Sequence, residues 1–422
     1  MRDFLPAEKA QRERVLSVIR ATYSAHGFDE IETPVMEDSS RLHAGLGGDN
    51  EKLSYAVMKR GLTSEDLAAA KDPLDLADLG LRFDLTVPLT RFYASNRGAL
   101  PPVFRSIQIG SVWRAERPQR GRYRQFVQCD IDVIGEAGPL AEVELLVATA
   151  ATLRALGLDG FGIRINDRRL LSSMLNVLGF PPHEHEAVLI TIDKLDKIGR
   201  DGVVGELRDR AFPAEPVDAL ESFFRRSAAP ESPPFGEAAI RNALPVGVDD
   251  AAVMGLVELG LAVEEAERER GPLLQFDPFL VRGMGYYTGA IFEVTHPSVN
   301  YSLGGGGRYD RMIGRFLGSD VPATGFSLGF ERLVELVRLP NSGTTDAVAL
   351  IHDDVAPATL AAIKSALIET GARVRLEHRT KNIKPLLEQL AASGFSRFAY
   401  LTAEAAGVDD LEFRDLEPRD LP

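Results

Sequence analysis

Apolar and polar positions alternate with a period of two along two neighbouring stretches of the chain. Gln108, Gly110 and Val112 alternate with Ile109, Ser111 and Trp113, and Phe126, Gln128, Asp130 and Asp132 alternate with Val127, Cys129, Ile131 and Val133. Each run presents two distinct faces, as a strand does, and the polar segment between them turns around Pro118 and Gly121. Residues 104–136 therefore read as one long hairpin.

Elsewhere the pattern changes period. Residues 8–26 carry a helical stripe at Val15, Leu16, Ile19 and Tyr23 that stops at Gly27. Residues 28–35 read as a strand ending at Pro34, which cannot donate to a ladder and suits a sheet edge or a subunit boundary. A loop over 45–50 and a short strand within 53–60 follow, then a connection through 78 without clear pattern. Residues 81–86 read as extended, with Asp84 and Thr86 on one face, and 89–94 lead into a helix. After the hairpin, 139–156 read as a helix and 161–165 as a strand.

From 166 to 245 the pattern is helical, with breaks at PP, APE and SPPF and amphipathic pieces at 170–178 and 217–226. Another helix spans 250–270, and 280–294 read as strand, glycine turn and strand. Four adjacent glycines in SLGGGGRYD imply backbone passing close to a ligand or to another strand. Residues 322–336 pass from strand into a helix that opens with Glu331 and Arg332. A linker at 339–345 leads to a small α/β unit: strands at 347–351, 373–377 and 397–401, helices at 357–370 and 383–393.

Composition narrows the class. A chain of 422 residues with 45% apolar and 26% charged content fits a globular protein of two or three domains. No apolar run approaches the roughly 18 residues of a membrane span, and MRDFLPAEKAQRER has no apolar signal core, so a cytoplasmic protein without membrane association is expected. Cys129 stands alone, which excludes an internal disulfide and a cysteine zinc cluster; His183 and His185, in a proline-rich turn, read as surface residues. A net charge of -14 argues against general nucleic-acid binding, though local basic patches on an acidic body still bind phosphates. Neither GxxxxGK[ST] nor GxGxxG occurs.

The candidate chemistry sits in the hairpin loop. Arg114, Arg117, Arg120, Arg122 and Arg124, with Glu116, form either an electrostatic clamp for a polyphosphate or a solvated tip. Asp84 and Thr86 suit an ammonium group, or a helix cap. Arg332 is a phosphate ligand or a helix-surface charge.

Six ordered segments carry a resemblance that covers nearly the whole chain: the strand ending at Pro34, LRFDLTVP, VWRAERPQRGRYRQFVQCDIDVIG, LVRGMGYYTG, GGGGRYD and GFSLGFERL. Together they resemble the histidyl-tRNA synthetase family of class II aminoacyl-tRNA synthetases. The resemblance implies an α+β fold: an antiparallel-sheet catalytic domain over 1–165 and 246–338, a helical insertion at 166–245, and a shortened anticodon-binding-like α/β domain at 346–422. It also implies a homodimer assembled through the first segment. The substrates would be histidine, ATP with Mg2+, and tRNA(His).

By the same resemblance Arg114 binds the ATP α-phosphate, Arg332 reaches the γ-phosphate and covers the adenine, Phe126 stacks on the other adenine face, and Glu116 contacts the adenine edge or a metal. Arg282 grips the α-phosphate and the substrate carboxylate. Asp84, Thr86 and Gln128 hold the α-amino group, and Asp132 and Tyr287, with Tyr286 and Tyr309, read the imidazole. Arg117 and Gln119 serve the tRNA acceptor end. The chain departs from the family at Gly285, where an aspartate is usual. Two other functions share these motifs: a catalytically silent regulatory paralog of histidine biosynthesis, and a histidine-activating enzyme serving an acceptor other than tRNA.

Overall fold

The computed structural model describes residues 1–43, 52–117, 123–226, 235–282, 285–339, 346–405 and 407–416. Two compact units divide the chain: residues 1–2 with 17–337, and residues 3–16 with 338–422.

The first unit is built on an eight-stranded sheet in the order Asp29–Ile31, Phe104–Trp113, Gln125–Ile134, Ala323–Gly329, Gly304–Arg308, Ala290–Thr295, Gly162–Asp167 and Leu274–Phe276. The two outermost pairs are parallel and every inner pair is antiparallel. Alternation within Gln125–Ile134 splits its side chains cleanly. Cys129, Ile131 and Val133 are fully buried, and the Leu140–Ala155 helix packs across this strand and Ala323–Gly329. The other parity carries Gln128, Asp130 and Asp132.

The strand expected over 28–35 is confined to Asp29–Ile31, at the sheet edge, because the chain then turns toward the buried Arg82. That guanidinium donates to Thr33 O at 2.8 Å, Thr33 Oγ1 at 3.1 Å and Ser111 O at 2.9 Å, tying the edge segment to the hairpin. The unpatterned connection after residue 60 contains the helix Ser64–Ala69, capped by Thr63, and leads into the strand Ala77–Leu81, which forms a small antiparallel sheet with Met36–Asp38 and with Tyr55–Met58, the strand expected within 53–60. The extended reading of 81–86 also needs correction. The strand stops at Leu81, and Asp84 Oδ1 accepts from the Val87 amide at 3.1 Å, which turns the chain into the helix Thr86–Asn96. No strand begins at 280; the strand precedes it, at Leu274–Phe276.

The helical insertion comprises Arg168–Val177, His185–Ile192, Leu195–Asp209, Ala214–Arg226 and Glu237–Ala243, followed by the long helix Asp250–Ala266. Phe279 anchors it to the strap before residue 282, with ring centroids 5.4 Å from Phe223 and 4.9 Å from Phe224. His183 is exposed as expected, but His185 is buried, its Nε2 lying 3.0 Å from Phe180 O, because it opens a helix whose inner face is apolar.

In the second unit the strands Arg373–His378, Ala347–His352 and Arg397–Leu401 run parallel, and Phe413–Asp415 adds antiparallel to the last. The central strand is buried on both faces, as parallel strands between helices are. Val348 and Leu350 pack with Leu360 and Ile363 of one helix, while Ala349 and Ile351 join Leu390 of the other.

Candidate active site

Register builds the floor of the site. Asp130 pairs with Ser327, Ser327 with Gly305, Gly305 with Glu293 and Glu293 with Arg164, so one lateral row crosses five strands on one face. The next row runs from Asp132 through Gly325 to Gly307. Above these rows lies a cavity of about 990 Å³. It brings together Arg114, Glu116, Phe126 and Arg332 with Asp84, Thr86, Gln128, Asp132, Arg282, Tyr286, Tyr287 and Tyr309, residues drawn from all the motif segments between 81 and 336.

Two glycines make the geometry possible. A Cβ at Gly305 would lie 2.6 Å from Arg282 Nη1, and one at Gly325 would lie 1.9 Å from Asp132 Oδ1. The glycine run thus opens the sheet surface so that Arg282 lies across it and donates to Glu293 Oε2 at 2.9 Å. Glu293 is also paired with Arg164, which reaches Asp277 at 3.1 Å. Gly325 leaves room for Tyr309 to donate its hydroxyl to Asp132 Oδ1 at 2.5 Å.

The cavity carries both signs of charge. Arg114 donates from Nε to Phe83 O at 2.9 Å and its guanidinium carbon lies 5.1 Å from the Phe126 ring centroid. Burial pushes the Arg114 pKa down, and Asp84 and Glu116 oppose that push. Arg332 donates to Ser302 O and lies over the Tyr301 ring at 5.1 Å. Beside Tyr286 and Tyr309 three carboxylates gather, Asp84, Asp130 and Asp132, and two of them, Asp84 and Asp130, also act on Arg114. Burial raises Asp130 well above the usual range, with Asp132 adding to the rise and Ser327 opposing it. Asp132 is pushed up to about 7 by burial, eased by the Tyr309 hydroxyl and reinforced by Asp84.

Such a cluster favours a cation carrying hydrogen-bond donors. Gln128 Oε1 is buried without a partner among the described residues, while its Nε2 donates to Ser327 Oγ at 3.0 Å. An unsatisfied buried acceptor is costly, and an ammonium group would satisfy it. Tyr286 and Tyr287 adjoin this cluster, their ring centroids 4.8 Å apart.

Arg117 is exposed and outside the cavity lining, and Gln119 lies outside the described residues. Gly285 has a carboxylate beside it after all: a Cβ there would meet Glu186 Oε1, from the insertion, at 2.7 Å. Sequence reading missed Asp130, Ser327, Glu293 and Arg164 as site residues. Asp130 shares the parity of Gln128 and Asp132, so alternation held that signal; the others depend on register across strands distant in sequence. Among the described residues no three carboxylate, imidazole or thiol groups converge as a metal site.

The profile of histidyl-tRNA synthetases matches residues 1–333. The chain belongs to the histidyl-tRNA synthetase family. A relative in Leifsonia xyli, named histidine--tRNA ligase, is 58% identical over 413 residues, 97% of this chain and 95% of that one. One of the same name in Aeropyrum pernix is 38% identical over 337 residues, covering 79% and 72%. Among solved structures, the histidyl-tRNA synthetase of Nostoc sp. PCC 7120 superposes with a TM-score of 0.74 at 24% identity, over 98% of this chain and 93% of that one, which establishes the shared synthetase fold.

Proposed function

We propose that the chain activates histidine with ATP and transfers the histidyl group to tRNA(His). The observation that carries this reading is one cavity lined together by Arg114, Arg282 and Arg332 and by the carboxylates and tyrosines of the motif segments. A histidine carboxylate oxygen attacks the ATP α-phosphorus, the bond to the pyrophosphate oxygen breaks, and a ribose hydroxyl of the tRNA then attacks the carbonyl carbon and expels AMP. No protein nucleophile is needed. Arg114 and Arg282 neutralise charge on the transferring phosphoryl group, held in place beforehand by Phe83 O and Glu293. Arg332 reaches the terminal phosphate, and Phe126 flanks the adenine, with Glu116 at its edge.

In the same cavity Asp84, Thr86 and Gln128 take the α-ammonium, and Asp132 with Tyr287 reads the ring. A neutral imidazole offers one donor and one acceptor, so an isostere lacking either leaves a buried group unpaired. Magnesium would arrive with the ATP phosphates and keep much of its water.

Arginines on aromatic rings in the second unit support an anticodon-binding role: Arg373 and Arg375 lie 4.5 and 4.7 Å from the Phe395 centroid, and Arg379 lies 5.5 Å from that of Tyr400. Exposed Val35, Met36 and Met58, around the edge segment, support a homodimer through that surface. Among the described residues no helix is long and apolar enough to cross a membrane, in keeping with a cytoplasmic setting. The arginine set does not favour a silent regulatory paralog, which needs no phosphate clamp.

The test is histidine-dependent ATP–pyrophosphate exchange followed by charging of tRNA(His). Exchange without charging would leave the activation reading standing and remove tRNA as acceptor. Replacing Arg117 and Gln119 by Ala should lower charging while exchange stays near normal; equal losses would put both in the adenylation site.

A further inference from the structure

The reaction cavity leaves the polar face of the helix Arg168–Val177 unused. Its sequence, RRLLSSMLNV, buries Leu170, Leu171, Met174 and Leu175 and leaves Arg168, Ser172 and Asn176 in one stripe at intervals of four. That stripe, with Ser173 and with Arg311 from the helix Asp310–Leu317, lines a second cavity of about 440 Å³. Tyr287 belongs to the walls of both cavities.

The charges here are unevenly satisfied. Arg169 also lines the cavity but is held by Asp167, through Nη2 to Oδ2 at 2.7 Å and Nε to Oδ1 at 3.0 Å. Arg168 is half-buried and makes no hydrogen bond or ion pair through its side chain among the described residues; Glu186 is the one carboxylate acting on it, and burial pushes its pKa down. Asp249 is the one carboxylate among the lining residues, and its Oδ1 is occupied by the amides of Ala251 and Ala252 at 2.9 and 3.3 Å. Ser173 Oγ accepts the Asp249 N–H at 2.8 Å, which leaves its own proton to donate. A half-buried guanidinium with no hydrogen-bonded partner among the described residues, beside hydroxyl and amide donors, is a receptor for an oxyanion.

We propose that this cavity binds a phosphate group, held by Arg168 and Arg311 with the Ser172 and Ser173 hydroxyls donating. Free inorganic phosphate and an RNA phosphodiester share that chemistry, and the test separates them. Crystals soaked in selenate, an anomalous scatterer that stands in for phosphate, should show a peak in this cavity that disappears in Arg168→Ala and weakens in Arg311→Ala. No peak in the unmodified protein overturns the proposal, as does a peak that persists in both variants, which marks an adventitious ion only. Arg311 is exposed, so its replacement keeps the test available if Arg168→Ala does not fold.

Both variants should retain histidine-dependent pyrophosphate exchange within about twofold, since neither residue lines the reaction cavity. For the source, tRNA affinity is measured against salt. An RNA phosphodiester predicts weaker binding in Arg168→Ala and a salt slope shallower by about 0.7–0.9 per lost contact. Unchanged tRNA affinity with lost selenate assigns the site to a free anion. The RNA arm rests on the proposed use of tRNA, whereas the selenate arm does not, so the two failures are distinguishable.

Discussion

The two units expose their arginines to different degrees. In the first, Arg114 and Arg282 are fixed by a backbone carbonyl and a carboxylate at 2.9 Å each, and Arg332 by Ser302 O. In the second, Arg373, Arg375 and Arg379 rest on aromatic rings at the rim of a small sheet, with Arg373 and Arg379 exposed. In the proposed function, that difference separates catalysis from capture. A cation that must meet charge developing in a transition state gains by being immobile and dry, because no reorganisation is then left to the reaction. A cation that meets a polyanion of variable shape gains by being mobile, and its contribution is screened by salt.

Removing a fixed arginine should produce the largest effect. Arg282→Ala is expected to lower pyrophosphate exchange by about 10³-fold, comparable to loss of a preorganised donor, while Glu293 keeps Arg164 and the melting temperature barely moves. A loss under tenfold would show that immobility is not what this part of the cavity depends on.

Next in size comes an indirect break. In Gly325→Ala the new Cβ would stand 1.9 Å from Asp132 Oδ1, so the bond from Tyr309 cannot persist. Overpacking of this kind costs about 1–3 kcal/mol of stability, and KM for histidine in the exchange assay should rise roughly tenfold or more as the imidazole contacts loosen. If KM stays put and only stability drops, Asp132 does not read the substrate.

The second unit's arginines should respond more gently. Replacing Arg373 and Arg375 together by Ala is expected to leave exchange unchanged and lower kcat/KM for tRNA charging by about tenfold at low salt, since phosphate contacts are individually modest and screened. The gap between variant and parent should close as salt rises. A deficit independent of salt would place these arginines in the structural class instead.

The smallest effect concerns the carboxylate cluster. Asp132 holds its proton up to about pH 7 in the folded chain, against about 3.9 in an unfolded one. Between those values the folded state binds more protons, so this group makes stability fall as pH rises from about 4 to 7. Asp132→Asn removes that slope. Measured by thermal unfolding, the variant should gain on the parent by roughly 2–4 °C between pH 5 and pH 8; parallel curves would mean that Asp132 titrates normally.

How far these features could be read in advance depended on how local they are. The second unit was legible almost residue by residue, because each of its strands and helices satisfies its own period: the helix read at 357–370 is Pro357–Glu369, and the strand at 397–401 is Arg397–Leu401. The antiparallel Phe413–Asp415 escaped notice since three residues carry too little pattern. Around Asp84 two local rules competed. Parity favoured a strand through Thr86, and the cap made by the Asp84 carboxylate to Val87 prevailed, while the same residue still lines the reaction cavity. The motif segments named most of the site, yet the row from Asp130 to Arg164 is assembled from five separate strands and exists only once their register is set.

That row makes amino-acid selection a property of strand alignment. A slip of one residue in the Gln125–Ile134 strand would turn Gln128, Asp130 and Asp132 toward the Leu140–Ala155 helix and put apolar side chains in their place. A copy misaligned there would keep Asp84, which stands on a separate turn, but would lose Gln128, Asp130 and Asp132 together, and so would hold no amino acid firmly instead of favouring the wrong one. For a protein whose errors would be written into every other protein, failure by silence is the safer kind, and here it follows from the way these three residues share one face of a single strand.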